Sequence, residues 1–308
     1  MHLTLQQLRL FEAVARHRSF TRAAEELFLT QPAVSIQIKR LEEGVNIALL
    51  EQIGKRIYLT AAGEEVYSAA VDILGRLRGL EGSIDDLQGT VQGPLRVAVV
   101  TTAKYFMPHL LGHFLRDYPK VEPRLTVTNR ARVLERLSEN QDDLVIMGQA
   151  PESIEVEVSA FLENALVVVA PPDHPLVGVA GITLERLTEE RFLIREEGSG
   201  TRGAVERLFA EHGLKIRPYM ELGSGEALKQ GVMAGIGVAV LARISLRLEL
   251  ASGLLVMLDV EHFPLMRQWY CVYPKGKRLS NATRTFLKFL LEQGPGMLRQ
   301  GWKLPIGG

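Results

Sequence analysis

Gln31, Ser35 and Lys39 recur at four-residue spacing with Arg40 beside them, which puts an amide, a hydroxyl and cations on one side of a short stretch. Such groups hydrogen-bond to base edges and phosphates, the chemistry of a helix laid in the major groove of duplex DNA. Thr30 stands where a helix N-cap belongs, and Pro32 falls in the first turn, where a missing backbone N–H costs little. Gln31 and Pro32 therefore open a helix whose free N–H groups and partial positive charge favour a phosphate. Between Leu27 and Leu41 there is no acid, although Glu25, Glu26, Glu42 and Glu43 flank the window. Thr21 and Arg22, just before the turn, complete the expected DNA contacts.

A helix pair must position these groups. Ala23, Ala24 and Leu27 recur at helical spacing before the turn, and Val34, Ile38 and Leu41 after it, so each helix has one apolar side and the two sides can meet. An ordinary helical hairpin in a core has the same spacing. The next segment of the chain separates the two readings. Residues 52–60 place a glycine turn among basic and β-favouring residues, which predicts a hairpin wing with Lys55 and Arg56 at its tip, set to meet the DNA backbone or minor groove.

Next, Val66, Ala70, Ile73, Leu77, Leu80, Ile84 and Leu87 keep an unbroken 4-3-4-3-4-3 spacing. This heptad seam predicts a coiled-coil partner and hence a homodimer. Gly75, Gly79 and Gly82 each cost such a helix about 1 kcal/mol relative to Ala, whereas each large aliphatic seam residue contributes about 1.5–3 kcal/mol when buried. Packing wins if a second helix covers the seam; the alternative is an amphipathic helix lying on its own domain.

The chain has 36 basic and 36 acidic side chains, which argues for a local basic footprint rather than a nonspecific coat. Arg16, Arg18, Arg22, Lys39, Arg40, Lys55 and Arg56 supply it. A length of 308 residues suggests two or three domains, and the single cysteine, Cys271, reads as a core strand residue. With no signal peptide or long apolar span in the sequence, the expected location is the cytoplasm, with no membrane partner.

Residues 89–94 break the helical pattern, and strands then alternate with amphipathic helices: strands at 95–100, 124–128, 144–147, 165–170, 191–195, 238–241 and 267–273, helices at 108–118, 132–139, 201–212, 225–234 and 280–292. This alternation implies a parallel α/β sheet, which binds ligands at strand carboxyl ends. Thr101 and Thr102 end the first strand, Asn129 and Arg130 the second, and Gln149 follows the third. Ser199, Thr201 and Arg202 open a later helix. With Lys104, these residues predict a phosphorylated or carboxylated metabolite as ligand. Taken singly, each hydroxyl also reads as a helix cap and each arginine as solvated surface charge. His109 and His113 have the spacing of a metal pair, but no acid stands between them and no third ligand is evident. Gly198-Ser-Gly-Thr lacks the glycine placement of a nucleophile elbow, and Gly235-Ile-Gly237 reads as a helix stop. No catalytic constellation, metal site or cofactor is expected.

Leu8-Arg-Leu-Phe-Glu-Ala-Val-Ala15, residues 19–42, Leu59-Thr-Ala-Ala-Gly63 and the segment from Phe106-Met-Pro-His-Leu-Leu to Tyr118-Pro119 resemble the LysR-type transcriptional regulators. Glu51-Gln-Ile-Gly-Lys-Arg-Ile-Tyr-Leu-Thr60, Thr101-Thr-Ala-Lys-Tyr-Phe106, Val127-Thr-Asn-Arg130 and Gly198-Ser-Gly-Thr-Arg202 are similar to the Calvin-cycle (RuBisCO operon) regulators within that family. Asn46 and Leu50 depart from the usual glycine and aromatic; Asn tolerates a left-handed backbone, and Leu50 affects packing beside the wing. The resemblance implies an N-terminal all-α winged helix-turn-helix with a long linker helix and a C-terminal α/β effector domain of two periplasmic-binding-protein-like subdomains, joined by crossing strands with the ligand between them. The corresponding boundaries are 1–63 for the DNA-binding domain, 64–89 for the linker helix, 90–294 for the effector domain (94–164 plus 269–292, and 165–268) and 295–308 for a flexible tail. It also implies an activator that binds double-stranded promoter DNA as a homotetramer of coiled-coil dimers, responds to a small anionic metabolite, and admits RNA polymerase as a further partner. The alternatives are a regulator of another metabolic operon, or a binding protein or enzyme whose N-terminal helices only mediate association.

Overall fold

In the computed structural model of the protein the described residues are 3–54, 56–87 and 91–301, without the side chains of 78, 79, 81–87 and 299–301. The chain divides into two units, Met1–Leu87 and Gln88–Gly308.

In the first unit, Thr4 starts α1 (Leu5–His17) through a reciprocal capping box with Gln7. Ser19 caps α2 (Phe20–Glu26), accepting from the Arg22 N–H at 3.3 Å. Thr30 occupies the N-cap of α3 (Gln31–Val45) as expected, but its side chain makes no cap bond. Pro32, in the first turn, removes one of the N–H groups that such a cap uses. Asn46 ends α3 in the left-handed region at φ 55°, the conformation its side chain tolerates. β1 (Leu50–Ile53) and β2 (Arg56–Leu59) form the antiparallel wing. Phe11, Val14, Ala23, Val34, Ile38 and Leu41 meet in one core, so the apolar sides read from spacing do face each other.

The helix α4 (Ala61–Leu87) corrects part of the seam. It lies along α1, Ala70 is fully buried and Val66 packs on the domain core, so these two positions are already used within the unit. Val71 and Leu74, one residue off the seam, are buried as well. Leu77 is half-buried, while Ile73 and Leu80 remain 40% and 57% exposed. The side chains of Ile84 and Leu87 lie outside the described residues.

The second unit begins with β3 (Gly93–Val100), a 3-10 turn (Thr101–Tyr105), α5 (Met107–Asp117), β4 (Val121–Thr128), α6 (Arg130–Ser138) and β5 (Leu144–Met147). A long strand β6 (Val156–Ala170) leads to α7 (Leu184–Thr188), β7 (Phe192–Arg195), α8 (Gly200–Glu211), β8 (Pro218–Leu222), α9 (Gly225–Met233), β9 (Val238–Ala242), α10 (Arg247–Ala251) and β10 (Val256–Met257). The chain returns through β11 (Leu265–Pro274), α11 (Asn281–Glu292) and α12 (Gly294–Gly301). The sheet order is β4-β3-β5-β11-β6-β9-β7-β8, with β10 on β6.

This sheet is mixed rather than parallel. β3, β4 and β5 are parallel, as are β7, β8 and β9, but β6 and β11 run antiparallel to each other and to β9 and β5 respectively. Two strands that carry the chain out to the second lobe and back must oppose each other. Helices cover both faces of each lobe: Phe106, Phe114 and Phe286 pack on one face of the first lobe and Val133 and Leu137 on the other, while Phe209 and Val205 cover one face of the second and Leu228 and Val232 the other. Strands buried on both faces read as continuous apolar runs, which is why 144–147 and 238–241 were visible in the sequence. β8 was missed because it is an exposed edge strand beginning at a proline.

The stretch 295–301, expected to be a flexible tail, is helical, and Leu298 enters the first lobe's core at 6% exposure. Residues 302–308 lie outside the described residues. Leu298→Ala is expected to cost about 2–3 kcal/mol, read as a lower denaturant midpoint for the full chain; an unshifted midpoint denies α12 any packing role.

Candidate functional site

The first unit presents the exposed side of α3. Gln31, Pro32, Lys39 and Arg40 are exposed and Ser35 is half-buried, opposite the buried Val34, Ile38 and Leu41. Thr21 and Arg22 are exposed on α2, and Arg56 is exposed on the wing; Lys55 lies outside the described residues. Ile36 shares the outward side of α3 at 54% exposure, and Phe28, in the turn before it, is 95% exposed at φ 55°. Neither was singled out from the sequence, where an aliphatic and an aromatic look like core.

Arg16 is not part of the basic footprint. Its guanidinium lies 2.7 Å from Glu12 and 2.6 Å from Glu26, and although burial alone would lower its pKa, these two carboxylates raise it. Burial would raise the Glu26 carboxyl, but hydrogen bonds from Arg16 and His17 outweigh that and hold it down at about 2. Glu42, which reads as an acid flanking the DNA-facing helix, accepts from the Leu49 and Leu50 N–H groups at 2.8 and 3.1 Å and ties the wing to α3.

In the second unit the ends of β3, β4 and β5 and the start of α8 surround a small cavity with an open mouth. Thr101, Thr102, Asn129, Arg130, Gln149, Ser199 and Thr201 all line it. Some also fill ordinary structural roles: Asn129 caps α6 by accepting from the Arg132 N–H at 3.0 Å, and Thr101 donates to the Thr128 carbonyl at 3.3 Å. Ser199, the N-cap of α8, is buried and makes no cap bond, so its hydroxyl is not committed to its own helix.

Two expected residues do not line this cavity. Arg202 turns away to Glu206 and Glu221 at 2.8 and 2.6 Å and donates to the Arg195 carbonyl at 3.2 Å; the Glu206 hydrogen bond is the largest reason its pKa is raised. Lys104 lies 3.8 Å from Glu226 and lines a neighbouring small pocket with Thr101 and Thr102. Carboxylates within reach on the second lobe captured both cations, which sequence position alone does not reveal.

Other residues take their place. Arg267, on the returning β11, donates to the carbonyls of Gly200 and Gly148 at 2.9 and 2.8 Å and to Gln149 Oε1 at 3.3 Å. Arg207, on α8, donates to the same Gln149 Oε1 at 3.0 Å, and Arg130 donates to the Gln149 carbonyl. Burial, then Arg207 and Arg130, push the Arg267 pKa down to about 10, and burial followed by Arg207 also lowers that of Arg130. Among the described residues none of the three is in an ion pair, so their mutual repulsion is unrelieved by any carboxylate at contact distance. Arg195 also lines the cavity, but Glu196 pairs with it at 2.6 Å. A charged residue closing an apolar strand was the one readable signal for Arg195; nothing in the sequence pointed to Arg207 or to Asn164.

Residues 5–64 match the bacterial regulatory helix-turn-helix protein, lysR family, and residues 88–295 match the LysR substrate binding domain. The chain is similar to a RuBisCO operon transcriptional regulator of Acidithiobacillus ferrooxidans, at 51% identity over 96% of this chain and 98% of the relative. It is similar to the Synechocystis CcmR regulatory domain in complex with 2-PG, at 46% identity and a TM-score of 0.64 over 66% of this chain and all of that one. Full-length OxyR from Pseudomonas aeruginosa shares the fold over 95% of this chain and 94% of its own, with a TM-score of 0.72 at 23% identity.

Proposed function

The chain belongs to the LysR family of bacterial transcriptional regulators, and we propose that it controls a carbon-fixation (RuBisCO) operon by binding promoter DNA in answer to a small phosphorylated carboxylate. It is a DNA-binding regulator and not an enzyme. The observation that carries the ligand class is the trio Arg130, Arg207 and Arg267, gathered around Gln149 with no ion pair among the described residues. A phosphorylated carboxylate relieves that repulsion, and the 2-PG held by the Synechocystis domain, 2-phosphoglycolate, is of this class.

On DNA, Gln31 and Ser35 face base edges while Lys39, Arg40 and Arg56 hold phosphates. Ile73 and Leu80 provide the outward part of the dimer seam, and two dimers form the tetramer that spans a pseudo-palindromic site in the cytoplasm, where RNA polymerase is the further partner. Ligand binding changes the spacing or bend between DNA-bound pairs.

The test is a footprint on the promoter of a carbon-fixation operon with and without 2-phosphoglycolate. A protected site whose extent or affinity changes with the ligand supports the proposal; no protected site assigns the protein to another regulon, and a footprint that 2-phosphoglycolate leaves unaltered overturns the effector class. Gln31→Ala is expected to lose about 1–3 kcal/mol of discrimination at one operator position. Arg56→Ala should weaken every sequence alike and reduce the salt slope by about 0.9. Identical salt titrations and base preferences for the two variants would overturn these roles.

A further inference from the structure

Arg267 on β11 and Asn164 on β6 stand opposite each other in register, and Trp269, two residues further along, falls on the same face of its strand as Arg267. All three line the cavity. Trp269 Nε1 and Asn164 Oδ1 are each buried without a hydrogen-bond partner among the described residues. At 1% and 5% exposure, neither residue has bulk water to compensate. Two such groups on one face of the crossing strands, one across from the arginine and one two residues along its own strand, point to a ligand.

Charge is distributed unevenly around the same cavity. Arg130 and Arg267, which line it, are half-buried, and Arg207, which does not line it but donates to the lining Gln149, is exposed, so the uncompensated cations are on the solvent side of the buried groups. The buried groups are an indole N–H, an amide, the Ser199 hydroxyl and an arginine already neutralised by Glu196. A ligand with one dianionic and one monoanionic end is sorted by this difference. The dianion loses more hydration on entry and needs the unpaired guanidiniums, while a carboxylate can be held by neutral donors.

We propose that Trp269 and Asn164 are the donors for the carboxylate of the effector, which enters carboxylate first and leaves its phosphoryl group on Arg130, Arg207 and Arg267. This orientation rests on the reading of the cavity as the site of a phosphorylated carboxylate. The Asn164 amide offers both N–H and C=O, and a half-turn about its last bond presents the N–H to the ligand oxygen. Gly148 leaves the amide room to turn, since a Cβ at that position would lie 3.2 Å from Asn164 Nδ2.

Isothermal titration of the full chain with 2-phosphoglycolate and, separately, with inorganic phosphate tests the orientation. Trp269→Phe and Asn164→Ala should each weaken 2-phosphoglycolate about 10- to 100-fold, the loss expected for one hydrogen bond to a charged group, and leave phosphate unchanged. Arg207→Ala should weaken both probes. Trp269 packs edge-on against Phe106 at 5.0 Å between ring centroids, so a thermal melt accompanies its variant, and Asn164→Ala carries the test if that variant does not fold. Unchanged 2-phosphoglycolate affinity in the folded variants, or an equal loss for phosphate, overturns the orientation while leaving the effector class intact. A wild-type chain that takes up neither probe removes the effector reading, and the orientation with it.

Discussion

Ile73→Glu combined with Leu80→Glu should turn the protein into a monomer and weaken operator binding about 10²–10⁴-fold, the range lost when two tethered heads bind independently. Among the described residues these two side chains are the seam positions that the first unit leaves outward, at 40% and 57% exposure. Burying four of them across a symmetric helix pair contributes about 6–12 kcal/mol before association entropy is subtracted. Four glutamates in their place oppose like charges across the same interface. Ala70, Val71 and Leu74 are untouched, so each monomer keeps the contacts that seat α4 on its own domain. Light scattering and a half-site titration read the outcome. A variant that remains dimeric would show that other surfaces hold the copies together.

Gly63→Ala should be severe although it adds one methyl group. A Cβ at 63 would lie 2.0 Å from the Leu49 carbonyl oxygen and 3.1 Å from Leu59 Cδ2. The oxygen cannot retreat: it accepts from the Thr60 N–H at 3.0 Å, and the Leu49 N–H is itself tied to Glu42 at 2.8 Å. Relieving the clash requires moving the wing or the start of α4, at a cost of about 3 kcal/mol or more. The first unit should melt lower by on the order of 10 °C. Gly112→Ala is the control, because its Cβ meets nothing within 4 Å and it sits inside α5; there the substitution should be neutral or stabilising by about 0.5–1 kcal/mol. Equal melting of the Gly63 variant and wild type would refute the close approach.

The reading head was legible because its signals are local. Helical spacing fixed which sides of α2 and α3 meet, and the absence of acids from residues 28–40 marked the side free to face phosphate. Glu42 shows the limit of that reasoning, since the amides it binds are seven and eight positions away. The seam shows another: a 3.5-residue period describes a stripe, but whether Ala70 turns to its own domain or to a partner depends on where α1 lies.

In the second unit, apolar runs located the buried strands and their carboxyl ends, and seven of the nine residues expected there do line one cavity. Of the cations, Arg130 alone was legible. Arg202 and Lys104 have the right sequence positions, yet Glu206, Glu221 and Glu226 hold them, while Arg267 arrives on a strand more than a hundred residues from Gln149. The sequence by itself determined the periodicities and most of the helices and buried strands, because those depend on neighbours within a turn or two; the edge strand β8, the helix α12 and the uncapped start of α3 lay beyond it. Only the tertiary structure decided which charges are paired and which are left facing the cavity, because Coulomb interactions and desolvation follow distance in space rather than separation along the chain.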